Sequence, residues 1–452
     1  MNIHFIAIGG SVMHNLALCL RSKGYNVSGS DDEIFEPAVS ALRKSGLLPE
    51  KTGWFPEKID RHLDAVILGM HAKPDNPELL KALQLGIPVY SFPAYVYEQI
   101  KDKTRIVIAG SHGKTTITSM ILHVMKKRHL DFDYLVGSRI PGFEHMVKLS
   151  HKAPIAVLEG DEYLSSAMDT SPKFLHYRPH IALVSGIAWD HVNVFPTFET
   201  YTNQFRHFIE SIEPHGTLIF NNEDPHVRQL AINARPDIRK IPYRTPAFEI
   251  CNHQLYVQVR DRKVPLKIIG KHNLQNLEGA RLVCEQLGIR QTDYLHAIAD
   301  FTGASKRLEV IYQNAQTIFF RDFAHSPSKL RATLQAVKEQ YPERRLIACM
   351  ELHTYSSLNP AFITQYAATM DPADIAVVYY NHHTLELKKI QGITPELIQT
   401  AFSKPGLQVF TQKSDLLHFL KSLSWEHTNL LMMSSGNFDG LDVTELIPEK
   451  IK

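Results

Sequence analysis

The chain has 452 residues, of which 44% are apolar and 21% charged, and it carries a net charge of +2. That length exceeds one hydrophobic core and predicts three α/β domains, while the near-balanced charge excludes bulk attraction to nucleic acid or to a membrane surface. The four cysteines, Cys19, Cys251, Cys284 and Cys349, show no CxxC spacing and read as buried free thiols in a reducing compartment.

The sequence opens on a strand over residues 3–8, with no basic leader and no apolar run of membrane-spanning length, so a cytoplasmic location is expected. Further strands are predicted over 25–28, 65–68 and 89–90, alternating with helical runs such as 12–21, which argues a small parallel α/β domain up to about residue 93. Ala7-Ile8-Gly9-Gly10-Ser11-Val12 follows the first strand like a dinucleotide-binding fingerprint in which alanine and valine replace the first and third glycines. Asp31 lies near the distance of a ribose-binding acid. A tight turn with no ligand explains the same residues equally well.

The most specific motif is Gly110-Ser111-His112-Gly113-Lys114-Thr115-Thr116, set between a predicted strand over 105–109 and an amphipathic helix over 115–127. Gly110 and Gly113 let backbone N–H groups close around phosphate oxygens, Lys114 reaches the outer phosphates, and the Thr115 hydroxyl suits a magnesium ion. The full phosphate-loop pattern has a glycine where this chain has Ile108, but the strand, loop and helix context matches a nucleoside triphosphate site.

Strands over 155–158 and 181–184 follow, each ending in an acid-rich turn: Glu159-Gly160-Asp161-Glu162-Tyr163 and Ala188-Trp189-Asp190-His191. Carboxylates there can bind magnesium directly or through water, and a neutral His191 can hold a second ion. Taken singly they are caps, solvated acids or satisfied histidines. A β-rich stretch over 216–269 precedes His272-Asn273-Leu274-Gln275-Asn276, which puts two carboxamides on one helix face. After residue 306 a third alternating block is predicted, with strands over 317–320, 346–350, 375–379 and 430–433; Arg307 and Asp322-Phe323-Ala324-His325-Ser326-Pro327 open it. A cation and a carboxylate at such a junction can grip a nucleotide or simply join two domains.

In this order the phosphate loop, Glu159 to Glu162, Asp190-His191, His272 to Asn276, Lys306-Arg307 and Asp322 to Pro327 resemble the motifs of the Mur ligase family, the ATP-dependent amide-forming enzymes of peptidoglycan assembly. The resemblance implies an N-terminal Rossmann-like UDP-sugar domain over 1–98, a central P-loop ATPase domain over 99–307 and a C-terminal Rossmann-like domain over 308–452 for the incoming amine. It assigns Gly9, Gly10, Ser11, Asp31 and His71 to the UDP-sugar. Gly110, Ser111, His112, Gly113, Lys114, Thr115, Thr116, Asn273, Asn276, Arg307, Asp322 and His325 fall to ATP. Thr115, Glu159 and His191 fall to magnesium, with manganese as the alternative, and Lys114, Glu159 and His191 to catalysis.

Residues 8–13, Gly29-Ser30-Asp31 and Asn76-Pro77-Glu78 are similar to the branch whose sugar-nucleotide is UDP-N-acetylmuramate. Its lactyl carboxylate would be phosphorylated by ATP and the acyl phosphate displaced by an amine. Ser11-Val12-Met13, the loop over 161–177 and Asp322-Phe323-Ala324-His325 resemble the ligases that add L-alanyl-gamma-D-glutamyl-meso-diaminopimelate during recycling; the alternative acceptor is free L-alanine. Gly160 replaces a usual alanine, and Glu351-Leu352-His353-Thr354-Tyr355-Ser356 stands where the tripeptide enzymes have Glu-Pro-Arg-Ser. A non-catalytic relative that senses UDP-sugar or ATP is the alternative of another class.

Overall fold

Ala65–Leu68, Ile181–Val184 and Thr428–Met433 are buried at every residue, the pattern of parallel strands covered by helices on both faces. The structure is a computed structural model that describes residues 1–259, 262–304 and 307–447. It divides into two units, one formed by Met1–Ile187, Thr202–Tyr243 and Gly279–Ile289, the other by Ala188–Tyr201, Arg244–Glu278 and Arg290–Lys452. Within the expected middle segment 99–307, therefore, three stretches, Ala188–Tyr201, Arg244–Glu278 and 290–307, group with the last block.

The first unit holds two sheets. One is wholly parallel, in the spatial order Asn26–Ser30, Asn2–Ile6, Ala65–Leu68, Val89–Ser91. The other has seven strands, in the order Arg239–Tyr243, Thr217–Asn221, Ile181–Val184, Thr104–Ala109, Ile155–Glu159, Phe132–Leu135, Val147–Lys148, and only the last pair is antiparallel. Helix Ser11–Ser22 ties the two together: Asn15 Oδ1 accepts from Met146 N at 3.0 Å and Cys19 Sγ from Leu149 N at 3.1 Å.

Asn76-Pro77-Glu78 has a structural task. Asn76 caps helix Pro77–Leu85 by accepting from Glu78 N and Leu79 N, a cap worth about 1 kcal/mol. Glu78, fully buried, lies 3.2 Å from His4 Nε2 and accepts from Phe55 N at 2.7 Å.

The second unit contains a three-stranded antiparallel sheet, Phe248–Cys251, Gln254–Val259 and Arg262–Leu266, and a six-stranded sheet. The latter runs Glu309–Gln313, Ile318–Asp322, Thr428–Met433, Arg345–Glu351, Ile375–Tyr379, Gln408–Phe410, with only its first pair antiparallel. Strand residues alternate between two cores. Ala348, Met350 and Val378 pack with helices Pro327–Gln340 and Pro395–Phe402, while Ile347, Cys349 and Val377 pack with helix Lys413–Lys421.

The β-rich stretch over 216–269 thus serves two sheets, with helix Pro225–Ile232 between its first strands. The thiols are all free, but Cys251 is exposed, because its strand in the small sheet is covered so thinly; Cys284 and Cys349 are buried as expected. Among the described residues no helix is long and apolar enough to cross a membrane.

Candidate active site

Strand register assembles the phosphate loop. Ile108 pairs with Glu159 and Ala109 with Val184, so the chain leaves the middle of the seven-stranded sheet with Glu159 beside it, at the carboxyl ends of parallel strands. Gly110 has φ of 136° and Gly113 of 79°, conformations that glycine alone adopts without strain, and a Cβ on Gly110 would fall 2.1 Å from Ser185 Oγ. Helix Lys114–Lys127 starts at once with no side-chain cap, which leaves its first N–H groups to an anion.

Two charged contacts complete the loop. Lys114 Nζ donates to Gly110 O and to Glu162 Oε2, both at 2.6 Å. Burial alone would push the Lys114 amine down; Glu162, with Asp161 and Glu159 behind it, outweighs that and holds it above the ordinary lysine value. Thr115 Oγ1 donates to Glu159 Oε1 at 2.8 Å, and Gly137 N donates to Glu159 Oε2 at 2.8 Å. Ser111 N donates to Gly186 O, and the Ser185 hydroxyl donates to His112 O; Ser111, Thr115 and Thr116 are buried. Asp224 accepts from Ile187 N at 2.9 Å and caps helix Pro225–Ile232, so it steadies the turn under His112.

Sequence reasoning named Glu162 only as part of a motif and missed Gly137 and Asp224. Glu162 was within reach, since a buried loop lysine needs a counterion and the acid-rich turn Glu159 to Glu162 closes a strand read from the sequence.

The other glycine turn of this unit is tied differently. Ala7, at the place of the missing first glycine, takes φ of 67°. Gly9 N donates to Asp31 Oδ2 at 2.7 Å, and Asp31 is 5% exposed, so this oxygen is committed to the turn and is not offered to a ribose. Ser11 and His71 are exposed, and the Ser11 hydroxyl lies 3.8 Å from Met146 Sδ.

The second unit gathers the remaining candidates. Asp190 is buried; its Oδ1 accepts from His191 N at 2.8 Å and from Ser356 Oγ at 3.4 Å, while Lys329 Nζ and His325 Nε2 each stand 3.8 Å from Oδ2. Burial would raise this carboxyl, but His325, Lys329 and His191 hold it well below the usual range. Burial and then Lys329 lower the His325 imidazole, whose Nδ1 donates to Phe323 O at 2.8 Å. His191 turns the chain at φ of 55°.

Asn273 and Asn276 lie buried on one face of helix Lys271–Gln286, with Asn276 Nδ2 donating to Asn273 Oδ1 at 3.3 Å. Asp322 ends strand Ile318–Asp322, two residues beyond the end at Phe320 that the sequence suggested. Its oxygens accept from Leu308 N and Ala324 N at 2.7 Å each, and the Arg307 guanidinium lies 4.9 Å from the centre of the Phe323 ring, so no direct ion pair joins Arg307 to Asp322. Burial pushes the Asp322 carboxyl up against the pull of Arg307 and those amides. Lys306 lies outside the described residues.

The structure therefore brings Lys114, Thr115, Glu159 and Glu162 together in one unit, and Asp190, His325 and Lys329 together in the other. The Thr115 hydroxyl beside the Glu159 carboxylate is a hard-oxygen pair that fits magnesium or manganese. Among the described residues no group of three or more His, Cys, Asp or Glu could hold a metal by itself, so water and phosphate oxygens would fill the shell.

Comparison with known proteins covers nearly the whole chain. Residues 2–104 match the model of the Mur ligase family catalytic domain, 108–284 that of the Mur ligase middle domain, and 306–436 that of the Mur ligase glutamate ligase domain. The UDP-N-acetylmuramate--L-alanine ligase of Carboxydothermus hydrogenoformans is 28% identical over 97% of this chain and 94% of its own, and that of Mycolicibacterium gilvum 30% identical over 89% and 87%. The crystal structure of a murein peptide ligase from Psychrobacter arcticus superposes with a TM-score of 0.68 at 24% identity, over 99% of this chain and 98% of that one.

Proposed function

The chain belongs to the Mur ligase family, ATP-dependent ADP-forming ligases of peptidoglycan synthesis with a three-domain architecture, and from that premise we propose its substrates. The carboxyl donor is UDP-N-acetylmuramate, and the amine is that of L-alanyl-gamma-D-glutamyl-meso-diaminopimelate, in a cytoplasmic recycling reaction. The domain limits 1–98, 99–307 and 308–452 and the residue roles given above, that of Asp31 excepted, belong to the same proposal.

The observation that carries the ligase chemistry is the paired geometry of Lys114 with Glu162 and Thr115 with Glu159 around an uncapped helix start. The lactyl carboxylate attacks the γ-phosphorus, ADP leaves, and the amine then displaces phosphate from the acyl phosphate through a tetrahedral adduct. Charge grows on phosphoryl oxygens in the first step, so positioning and electrostatics do most of the work. Lys114 moves from its internal contacts with Gly110 O and Glu162 to those oxygens. Thr115 and Glu159 would hold the magnesium ion, which when bound neutralises phosphate charge. Asn273, Asn276, Arg307, Asp322 and His325 are assigned to the nucleotide, and His191 to a second ion.

Support for the tripeptide comes from the likeness of Ser11-Val12-Met13, the loop over 161–177 and Asp322 to His325 to the tripeptide ligases; in that loop Ser165 and Ser166 are buried, Lys173 Nζ meets Asp161 Oδ2 at 2.6 Å, and His176 Nε2 meets Asp169 Oδ2 at 2.8 Å. Free L-alanine is the second reading, favoured by the names of the two relatives above. Phosphate release from ATP with UDP-N-acetylmuramate, run in parallel with tripeptide and with L-alanine and followed by mass spectrometry, decides between them. Product with tripeptide alone upholds the proposal; product with alanine alone replaces it.

A further inference from the structure

We propose that Glu351 selects the acceptor, its free carboxylate oxygen taking a second, non-reacting ammonium group of the incoming amine substrate. The inference rests on the reading of that substrate as a peptide.

Glu351 is the last residue of strand Arg345–Glu351, flanked in parallel by Thr428–Met433 and Ile375–Tyr379, at the carboxyl ends where open α/β sheets collect ligands. It is 3% exposed. Both the Ser434 hydroxyl and Phe438 N, the latter at 2.9 Å, donate to Oε2. Among the described residues Oε1 accepts no hydrogen bond, and His353 Nδ1 stands 4.0 Å away, beyond hydrogen-bond reach. Oε1 is not among the buried side-chain atoms that lack a partner, so this otherwise buried carboxylate keeps one oxygen open, where an ammonium or another donor can meet it.

The surroundings fix that oxygen in place. A Cβ on Gly436 would fall 2.8 Å from Glu351 Oε2 and 3.0 Å from the His353 ring, so only a glycine lets this turn press against the carboxylate. The turn is pinned again at Asp439, whose Oδ2 accepts from Tyr379 Oη and Asn381 Nδ2. Next to Ser434, the Ser435 hydroxyl is buried and also lacks a protein partner. A rigid frame thus presents a carboxylate oxygen that the protein itself leaves unpaired.

The partner of such an oxygen is a cation. It is not the attacking amine, which must be neutral to displace phosphate and whose proton a carboxylate would hold. The group is therefore an ammonium elsewhere on the acceptor, as in a peptide ending in a diamino acid; free alanine has none.

The test compares acceptor tripeptides ending in meso-diaminopimelate, lysine and norleucine, with free L-alanine alongside, in the parent and in Glu351→Gln. Glutamine keeps an oxygen for Ser434 and Phe438 and removes the charge. The parent is expected to show KM about tenfold or more lower for the two cationic peptides than for the norleucine peptide. Glu351→Gln should erase that gap by raising KM for the cationic peptides alone, with kcat and the melting temperature held. Equal KM for all three peptides in the parent overturns the role of Glu351 while leaving the peptide reading intact, and this comparison needs no variant. A uniform loss across acceptors in Glu351→Gln overturns it as well. Coupling of alanine but of no peptide overturns the peptide reading and this inference with it.

Discussion

The first unit contains two turns of similar plan, a parallel strand running through glycines into a helix, and they use their polar groups in opposite ways. Both helix starts lack a side-chain cap; at Gly110 to Thr116 the positive-φ positions are glycines, and the nearby polar side chains pair with one another, Lys114 with Glu162 and Thr115 with Glu159. At Ala7 to Ser11 the positive φ falls on alanine, and the protein's own Asp31 already occupies Gly9 N. The difference is that the second turn gives one of its amides, Gly9 N, to a carboxylate of the protein itself. A glycine pattern alone does not make a phosphate site; what matters is whether the N–H groups it exposes are spoken for.

Breaking the phosphate loop at its cation should have the largest effect. Lys114→Ala is expected to lower turnover by about a thousandfold or more, read as ADP release at saturating substrates. It also strands Glu162, 1% exposed at the side chain, and the unpaired buried charge should cost about 3 kcal/mol in a melting experiment. Adding Glu162→Gln should restore the melting temperature but not the activity, which separates the catalytic from the structural loss. Recovery of both would place the catalytic cation elsewhere.

Gly110→Ala comes next. Its φ of 136° and the 2.1 Å approach to Ser185 Oγ leave no relaxed position for a methyl group, so stability should fall by about 2 kcal/mol and nucleotide affinity with it. The matched change in the other turn, Gly9→Ala, meets only side chains, Asp31 Oδ2 at 2.9 Å and Ile34 at 3.0 Å, without a positive φ to oppose it, and should cost less, because Gly110 also faces backbone, Ser185 N at 3.1 Å and Gly186 N at 3.2 Å. Equal losses at the two positions would erase the contrast. Glu159→Gln sharpens it from the metal side: the magnesium concentration for half-maximal rate should rise roughly tenfold or more, since an amide is a weaker ligand beside Thr115.

These contrasts mark what the sequence could carry. The strand, loop and helix around Lys114 were legible because each step has a local cause, a β-branched run, glycines and an amphipathic repeat, and Ile181–Val184 and Ile375–Tyr379 were read to the residue for the same reason. Glu159 was readable as an acid at a strand end. That Arg307 lies on the Phe323 ring rather than against Asp322, and that Asn76-Pro77-Glu78 builds a cap and a buried pair with His4, depends on side-chain packing that spacing does not encode. The fate of Asp31 was left open for a related reason: one carboxylate at that spacing serves a ribose or a backbone amide, and only the fold of the turn decides.

Asp31 supplies the smallest test of the comparison and one with a definite sign. Burial, reinforced by Asp32, raises its carboxyl above the ordinary value against the pull of Gly9 N and Glu33 N. A folded-state pKa above the unfolded one means that the native chain binds more protons between the two, so this group makes stability fall as pH rises through that window. Asp31→Asn keeps an oxygen for Gly9 N and removes the desolvated charge. The variant should therefore be equal to or slightly more stable than the parent at neutral pH, by no more than about 1 kcal/mol, with the difference closing as acid protonates the parent. Melting curves from pH 3.5 to 7.5 read this directly, and UDP-sugar affinity measured beside them should change little. A large loss of affinity with stability intact would mean that the oxygen facing Gly9 is lent to the ligand after all, and the two turns would then be two anion sites rather than one.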